Sequence, residues 1–308
     1  MATLSEPYFH DEERAREYLE GIRWPDGPVC PKCGGIEKIY RITGKTARPG
    51  LLKCGDCDKQ FTVTVGTLFE RSKVPLHKWL TASYLLCSSK KGISTHQLHR
   101  MLGVTYKTAW FMTHRIREAM KDPVFAQKLG GKGQVVEVDE TFWGNVGKHR
   151  KGARGYMHKE KIFSLVEKGG EVRSFHVPAV NASTLKPIMR EQIKKDTHIV
   201  TDDSRTYDGT SLDFEKHSVI QHRKGEYVRG PISTNTIENY FSILKRGLTG
   251  VYQHVGARHL KRYIGEFDFR YNNREASDME RTDIALKGIE GKRLLYRDSS
   301  SARQSISP

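Results

Sequence analysis

In the segment VVEVDETFWG, apolar Val136 and Val138 alternate with Glu137 and Asp139, the period-two pattern of a half-buried strand. Such a strand puts both acids on one face and Glu140 on the other. KIFSLVEKGGEVRSFHV then predicts two strands joined as a hairpin at Gly169 and Gly170. STLKPIMREQIKK predicts a helix capped by Ser183, and THIVTDDSRTYDG a short buried strand ending in Asp202 and Asp203. STNTIENYFSILKRGL has Ile237, Tyr240, Phe241 and Leu244 at helical spacing, which predicts an amphipathic helix.

Upstream the period is helical. PLHKWLTASYLLCSS carries Leu76, Trp79, Leu80, Leu85 and Leu86 behind Pro75, a residue suited to a first helical turn. Ser94 is placed to cap a helix bearing Leu98, Met101 and Leu102; Gly103 breaks it; Thr105 is placed to cap a second helix through Trp110, Met112, Ile116 and Met120. Helix, glycine turn, helix is the helix-turn-helix layout, in which the second helix enters the DNA major groove. Tyr106, Lys107, Thr108, His114, Arg115 and Arg117 are its expected DNA contacts.

Charge strengthens that reading. The 308 residues carry 52 Lys plus Arg against 36 Asp plus Glu, a formal net charge of +16, which points to a polyanionic partner. Between Arg71 and Lys132 twelve basic residues face two acids, and phosphate neutralisation supplies much of DNA affinity. A second basic block, residues 146–161, contains Lys148, Arg150, Lys151 and Arg154 directly after the strand bearing Asp139. These four are expected to offset the repulsion between an acidic site and a phosphodiester. No apolar run approaches the ~20 residues of a membrane helix, and the first residues have neither a basic start nor an apolar stretch. A cytoplasmic, nucleoid-associated protein is the resulting expectation.

Cys30 and Cys33 form one C-x2-C knuckle, and Cys54 and Cys57 form another, with twenty residues between them. Two such knuckles match the four-cysteine zinc pattern, in which four protein ligands leave no open position and the metal is structural. Residues 38–42 and 60–65 are the expected strands of this small zinc ribbon. Cys87, within SYLLCSS, is expected in the core.

Strand, hairpin, helix, strand and later helix is the order of an RNase H-like fold. Here Asp139 sits on the first strand, Asp202 at the end of the fourth and Glu238 on the closing helix. Three carboxylates from three elements can hold two divalent ions for in-line phosphodiester displacement, and hard oxygen ligands favour Mg2+ or Mn2+. Lys245, seven positions after Glu238, lies two turns along the same helical face. Glu137 is expected to orient a metal water or a basic neighbour. Glu140, Asp203 and His222 are weaker candidates, and FDFRYNNR reads as a helix packed beside this core.

VDET, the TDD…Y segment, GEYVRG followed by TNTIENYFSILKRGL, and HLKRYIGEFDFRYNNR together resemble the bacterial insertion-sequence transposases that join an N-terminal zinc ribbon to a DDE-type catalytic domain. The resemblance covers roughly residues 10–290. It implies an enzyme that binds terminal inverted repeats and performs metal-dependent DNA cleavage and strand transfer. Asp139, Asp202 and Glu238 would be its metal ligands and Lys245 its basic follower. Relatives often carry histidine where Ser233 stands, and the third ligand is not always glutamate; Asn235 is therefore a rival to Glu238. The implied partners are double-stranded DNA and further copies of the chain during synapsis, with no membrane and no organic cofactor. A zinc-dependent DNA-binding regulator with an inactive RNase H-like domain is the alternative, and a cellular nuclease of the same fold a third reading. The expected architecture is an α/β domain, an RNase H-like mixed sheet flanked by helices. The expected divisions are 1–70 (N-terminal segment and ribbon), 71–131 (helix-turn-helix-like), 132–292 (catalytic, with C-terminal helices) and 293–308 (a disordered tail).

Overall fold

Asp11 opens the first helix, α1 (Glu12–Arg23), by accepting the Glu13 and Arg14 N–H groups, two of the four donors that a helix start leaves unpaired. This is a computed structural model, and it describes residues 4–121, 127–144, 156–221, 228–229 and 232–295. These fall into two compact units, Met1–Asp122 with Glu275–Pro308, and Pro123–Arg274.

In the first unit, β1 (Ile39–Arg41), β2 (Leu52–Cys54) and β3 (Gln60–Phe61) form an antiparallel sheet in the order β1-β2-β3. The expected strand over residues 60–65 ends at Phe61, because residues 63–66 form a turn. β2 was not anticipated; three residues are too few to display an alternation. Three helices follow: α2 (Leu76–Ser88), α3 (Thr95–Leu102) and α4 (Tyr106–Ala119). Ser94 caps α3 through the Gln97 N–H, and Thr105 caps α4 through the Thr108 N–H. Gly103, at φ +59°, ends α3 in the left-handed conformation that glycine adopts without a Cβ clash.

Leu98, Leu102, Met112, Ile116, Met120 and Cys87 are buried as expected, and Trp110 is half-buried. Three side chains are not where the sequence put them. Met101 is half exposed, whereas His114 and Arg117 are both 0% exposed. Those two lie on the same face of α4 as the buried Thr113 and Ile116, so as placed they are removed from DNA contact. The C-terminal helix Asp278–Lys287, opened by a Ser277–Glu280 capping box, also departs from expectation. It belongs to the first unit: Arg281 donates to the Cys87 carbonyl, and Tyr18 of α1 donates to Asp283 at 2.6 Å.

The second unit holds a five-stranded mixed sheet in the order β6-β5-β4-β7-β8. β4 (Val135–Trp143), β5 (Glu160–Glu167) and β6 (Val172–Val177) are antiparallel, while β7 (His198–Asp202) and β8 (Lys216–Ile220) continue parallel to β4. The α5 helix (Ala182–Gln192) joins β6 to β7. Its cap is Asn181, which accepts the Thr184 N–H; the expected cap, Ser183, instead donates to Asn181. On one face Val136, Val138, Phe163, Leu165 and Ile199 pack with Leu185 and Met189 of α5. On the other, Ile162, Val166 and Val172 pack with α6 (Asn235–Gly247) and α7 (Ala257–Asn272). Helix, mixed sheet, helix in this strand order is the RNase H-like architecture. Phe267 and Phe269 of α7 are buried, in keeping with a packing helix.

Candidate active site and cysteine cluster

The pairing of β4 with β7 sets the first two acids. In that parallel ladder Val136 lies opposite Ile199 and Glu137 opposite Val200, and the same offset carries Asp139 to the level of Asp202. Laterally paired residues share a face, so both acids, with Glu137, lie on the side that α6 covers. Ile237, Tyr240, Phe241 and Leu244 anchor α6 to the sheet. Glu238 and Lys245 thereby reach a cavity of about 410 Å³ shared with Asp139, Glu140, Thr141, Asp202, Phe241 and Ser242. Asn235, the first residue of α6, is exposed and is not part of that lining.

The acids hold one another in a strained electrostatic balance. Burial pushes the Asp139 carboxyl up to about 8, and the charges of Glu140, Asp202 and Glu238 add to the effect, against one opposing bond from the Glu140 N–H. Burial also raises Glu140, with Asp202 contributing, while the Tyr207 hydroxyl donates to Glu140 at 2.5 Å and opposes the shift. Asp202 accepts the Ser204 N–H at 3.1 Å, and Glu238 accepts from the Thr234 hydroxyl at 2.8 Å. Four carboxylates around one cavity beside a single lysine form a donor set that suits hard divalent cations.

Glu137 does something the sequence did not suggest. It is fully buried, and it accepts the Ile237 N–H and the Thr236 hydroxyl at 2.9 Å each. It therefore caps α6 from the facing strand, where Thr234 makes no side-chain cap of its own; it does not line the cavity, and the positive charge of Lys168 acts on it. Tyr207 belongs to the TDD…Y segment, which by itself gives it no role. Its contact with Glu140 joins two elements 67 positions apart, and no local pattern signals it. Asp203 is partly exposed beyond the end of β7. His222 and the basic residues Lys148, Arg150, Lys151 and Arg154 lie outside the described residues, as do residues 296–308 of the expected tail.

In the first unit the four expected sulfur ligands come together. All lie within 4.8 Å of one another, with Cys30 Sγ 3.7 Å from Cys57 and Cys33 Sγ 3.6 Å from Cys54. A tetrahedron with metal–sulfur bonds of about 2.3 Å has edges of about 3.8 Å, so the donor set fits one zinc ion. Among the DNA-contact candidates, Tyr106 and Lys107 are exposed, Thr108 and Arg115 are partly buried, and Arg117 is not accessible.

The second unit is RNase H-like with a four-acid cavity, and the first carries a four-cysteine ribbon. Residues 128–272 match the ISXO2-like transposase domain, and residues 10–60 match the transposase zinc-ribbon domain. The chain is 31% identical over 279 residues to an uncharacterized protein in transposable element ISH50 of Halobacterium salinarum, covering 85% of this chain and 91% of that one. It therefore belongs to the family of insertion-element transposases with an ISXO2-like domain. An uncharacterized transposase-like protein of Haemophilus influenzae is 32% identical over 99 residues, 32% of this chain and 79% of the relative. A chain from a cryo-EM structure of the simian T-cell lymphotropic virus intasome in complex with PP2A regulatory subunit B56 gamma has 17% identity and a TM-score of 0.28. That match covers 70% of this chain and 73% of the other, at a score too low to bear on the fold. Among the described residues no helix is long and apolar enough to cross a membrane.

Proposed function

We propose that the protein is an active transposase that binds the terminal inverted repeats of its element and cuts and joins DNA strands at the cavity between β4, β7 and α6. The observation that carries this reading is that Asp139, Asp202, Glu238 and Lys245, from three separate elements, line one cavity. Asp139, Asp202 and Glu238 would hold Mg2+ or Mn2+. Divalent ions bound there supply activation of the attacking oxygen and charge stabilisation at the leaving one. Glu238 is the preferred third ligand over Asn235, because it alone of the two lines the cavity. Lys245 is positioned to hold a DNA phosphate by its ammonium group, countering the acids' repulsion of the substrate. Tyr207 fixes Glu140, and Glu137 fixes the start of the helix that carries Glu238.

In the other unit, one structural zinc on Cys30, Cys33, Cys54 and Cys57 holds the ribbon. Lys107, Thr108 and Arg115 of α4 meet duplex DNA. Lys148, Arg150, Lys151 and Arg154 remain proposed contacts near the cut site. Synapsis of two element ends calls for at least two copies of the chain.

The test is incubation of the purified chain with duplexes bearing the element's ends and with scrambled duplexes, in Mg2+, in Mn2+ and in chelator. Metal-dependent cleavage confined to element ends supports the proposal. Binding without cleavage in either metal points instead to an inactive, regulatory domain.

A further inference from the structure

A second cavity, of about 330 Å³, lies wholly within the first unit, between the Arg71–Val74 turn and the start of α4. Arg71, Lys73, Lys107 and Arg115 line it, and no carboxylate among the described residues does. Arg71 has a left-handed backbone at φ +57°, uncommon for a residue with a side chain and a mark of a turn under constraint. Its ion-pair neighbour is Glu70, at 3.7 Å through Nε. The Arg115 guanidinium is held by contacts that leave its charge uncancelled. It lies 4.5 Å from the centre of the Phe111 ring and 5.9 Å from that of Trp79, and Nε donates to the Leu294 carbonyl. Burial, reinforced by the neighbouring Arg293, pushes its pKa down. Four cations about one cavity, Arg115 partly buried and the other three exposed, with no acid among the lining residues, are complementary to an anion. Trp79 is only 2% exposed, so its face is not open to stack on a base, and a phosphate fits the cavity better than a nucleobase.

We propose that this cavity seats one backbone phosphate of duplex DNA, gripped by Arg71 and Lys73 of the turn together with Lys107 and Arg115 of α4. The proposal rests on the reading of this unit as the DNA-binding one. It adds two residues outside the helix-turn-helix and gives them a sequence-independent task, fixing the register in which α4 meets the groove.

The experiment measures affinity of the full chain for an element-end duplex and for an unrelated duplex, between 50 and 200 mM salt. It compares wild type, Arg71→Ala/Lys73→Ala, and the charge-matched Lys90→Ala/Lys91→Ala. All four substituted side chains are exposed, so the variants keep the fold. The first double variant is expected to bind both duplexes roughly tenfold more weakly, with a salt slope reduced by about one, and Lys90→Ala/Lys91→Ala to lose less. Equal behaviour of the two double variants overturns the phosphate site. So does weakening confined to the element-end duplex, which would mean base reading. If wild type binds neither duplex, the DNA-binding reading falls, and the phosphate site with it.

Discussion

The carboxylate of Glu137, on the central strand β4, accepts the backbone N–H of Ile237, one hundred positions later, at 2.9 Å. The second oxygen accepts from the Thr236 hydroxyl, so one buried side chain orients the first turn of the helix that carries Glu238 and Lys245. Replacing Glu137 with Ala leaves the Ile237 N–H buried and unpaired beside a new void. We predict a loss of about 2–4 kcal/mol in urea unfolding of the second unit. Glu137→Gln, which keeps an acceptor, is predicted to cost about 1 kcal/mol. DNA cleavage should fall in the same order, although Glu137 does not line the cavity. Normal stability of Glu137→Ala would contradict the capping role.

Zinc removal is expected to reach beyond the ribbon. Leu52, Phe61, Val63, Leu68 and Phe69 are all buried, Arg23 of α1 donates to the Val63 and Val65 carbonyls, and the Leu68 N–H donates to Ile289. Chelation, or Cys54→Ser, is therefore predicted to loosen the whole first unit rather than the cysteine loop alone, because a small metal site folds with its ligands. Hydrogen exchange would register lost protection in α1 and in the C-terminal helix, with the β4–β5 ladder unchanged. Elemental analysis should find one zinc per chain in the intact protein.

Asp268 gives the second unit a pH dependence of definite sign. It is buried against Tyr240 and Ser174, both of which donate to it, and burial raises its carboxyl to about 7 from a usual 3.8. The folded chain then binds this proton more tightly than the unfolded chain, so the contribution is complete below about pH 4 and is lost as pH rises to about 7. The slope is up to about 1.4 kcal/mol per pH unit. Urea midpoints for wild type and Asp268→Asn between pH 4.5 and 8 should show wild type losing stability relative to Asp268→Asn as pH rises. A difference that does not vary with pH would refute the assignment.

Tyr207→Phe removes the hydroxyl that donates to Glu140. Glu140 then faces Asp139 and Asp202 with one partner fewer. Because Glu140 is a neighbour of the proposed ligands rather than one of them, we predict that the Mg2+ concentration for half-maximal cleavage rises by less than the roughly tenfold typical of a direct partner of a metal ligand. A metal titration of cleavage, run beside a thermal melt, separates this from simple destabilisation.

Sequence pattern carried the core of the fold because its elements have faces. The alternation around Asp139 and the helical spacing of Ile237, Tyr240, Phe241 and Leu244 each state which side is buried. The four cysteines were legible for a different reason, since metal ligand spacing is local. What stayed hidden depends on partners distant in the chain. Arg117 reads as a basic helix residue, and only the packed unit shows it fully buried. The C-terminal helix buries only Thr282, Ala285 and Leu286, too weak a pattern to state which surface covers it. Asn181 and Ser183 are both good caps two positions apart, and spacing alone does not choose between them.

The central claim is that Asp139 and Asp202, at matching heights on paired strands, form the catalytic pair. The measurement that bears on it most directly is the rate of Mg2+-dependent cleavage of an element-end duplex by Asp139→Asn and Asp202→Asn, compared with wild type at equal DNA occupancy. If these carboxylates hold the ions, each variant should bind DNA as wild type does and cleave at least a hundredfold more slowly, a barrier increase of about 2.7 kcal/mol or more. Cleavage by either variant at the wild-type rate would contradict the assignment.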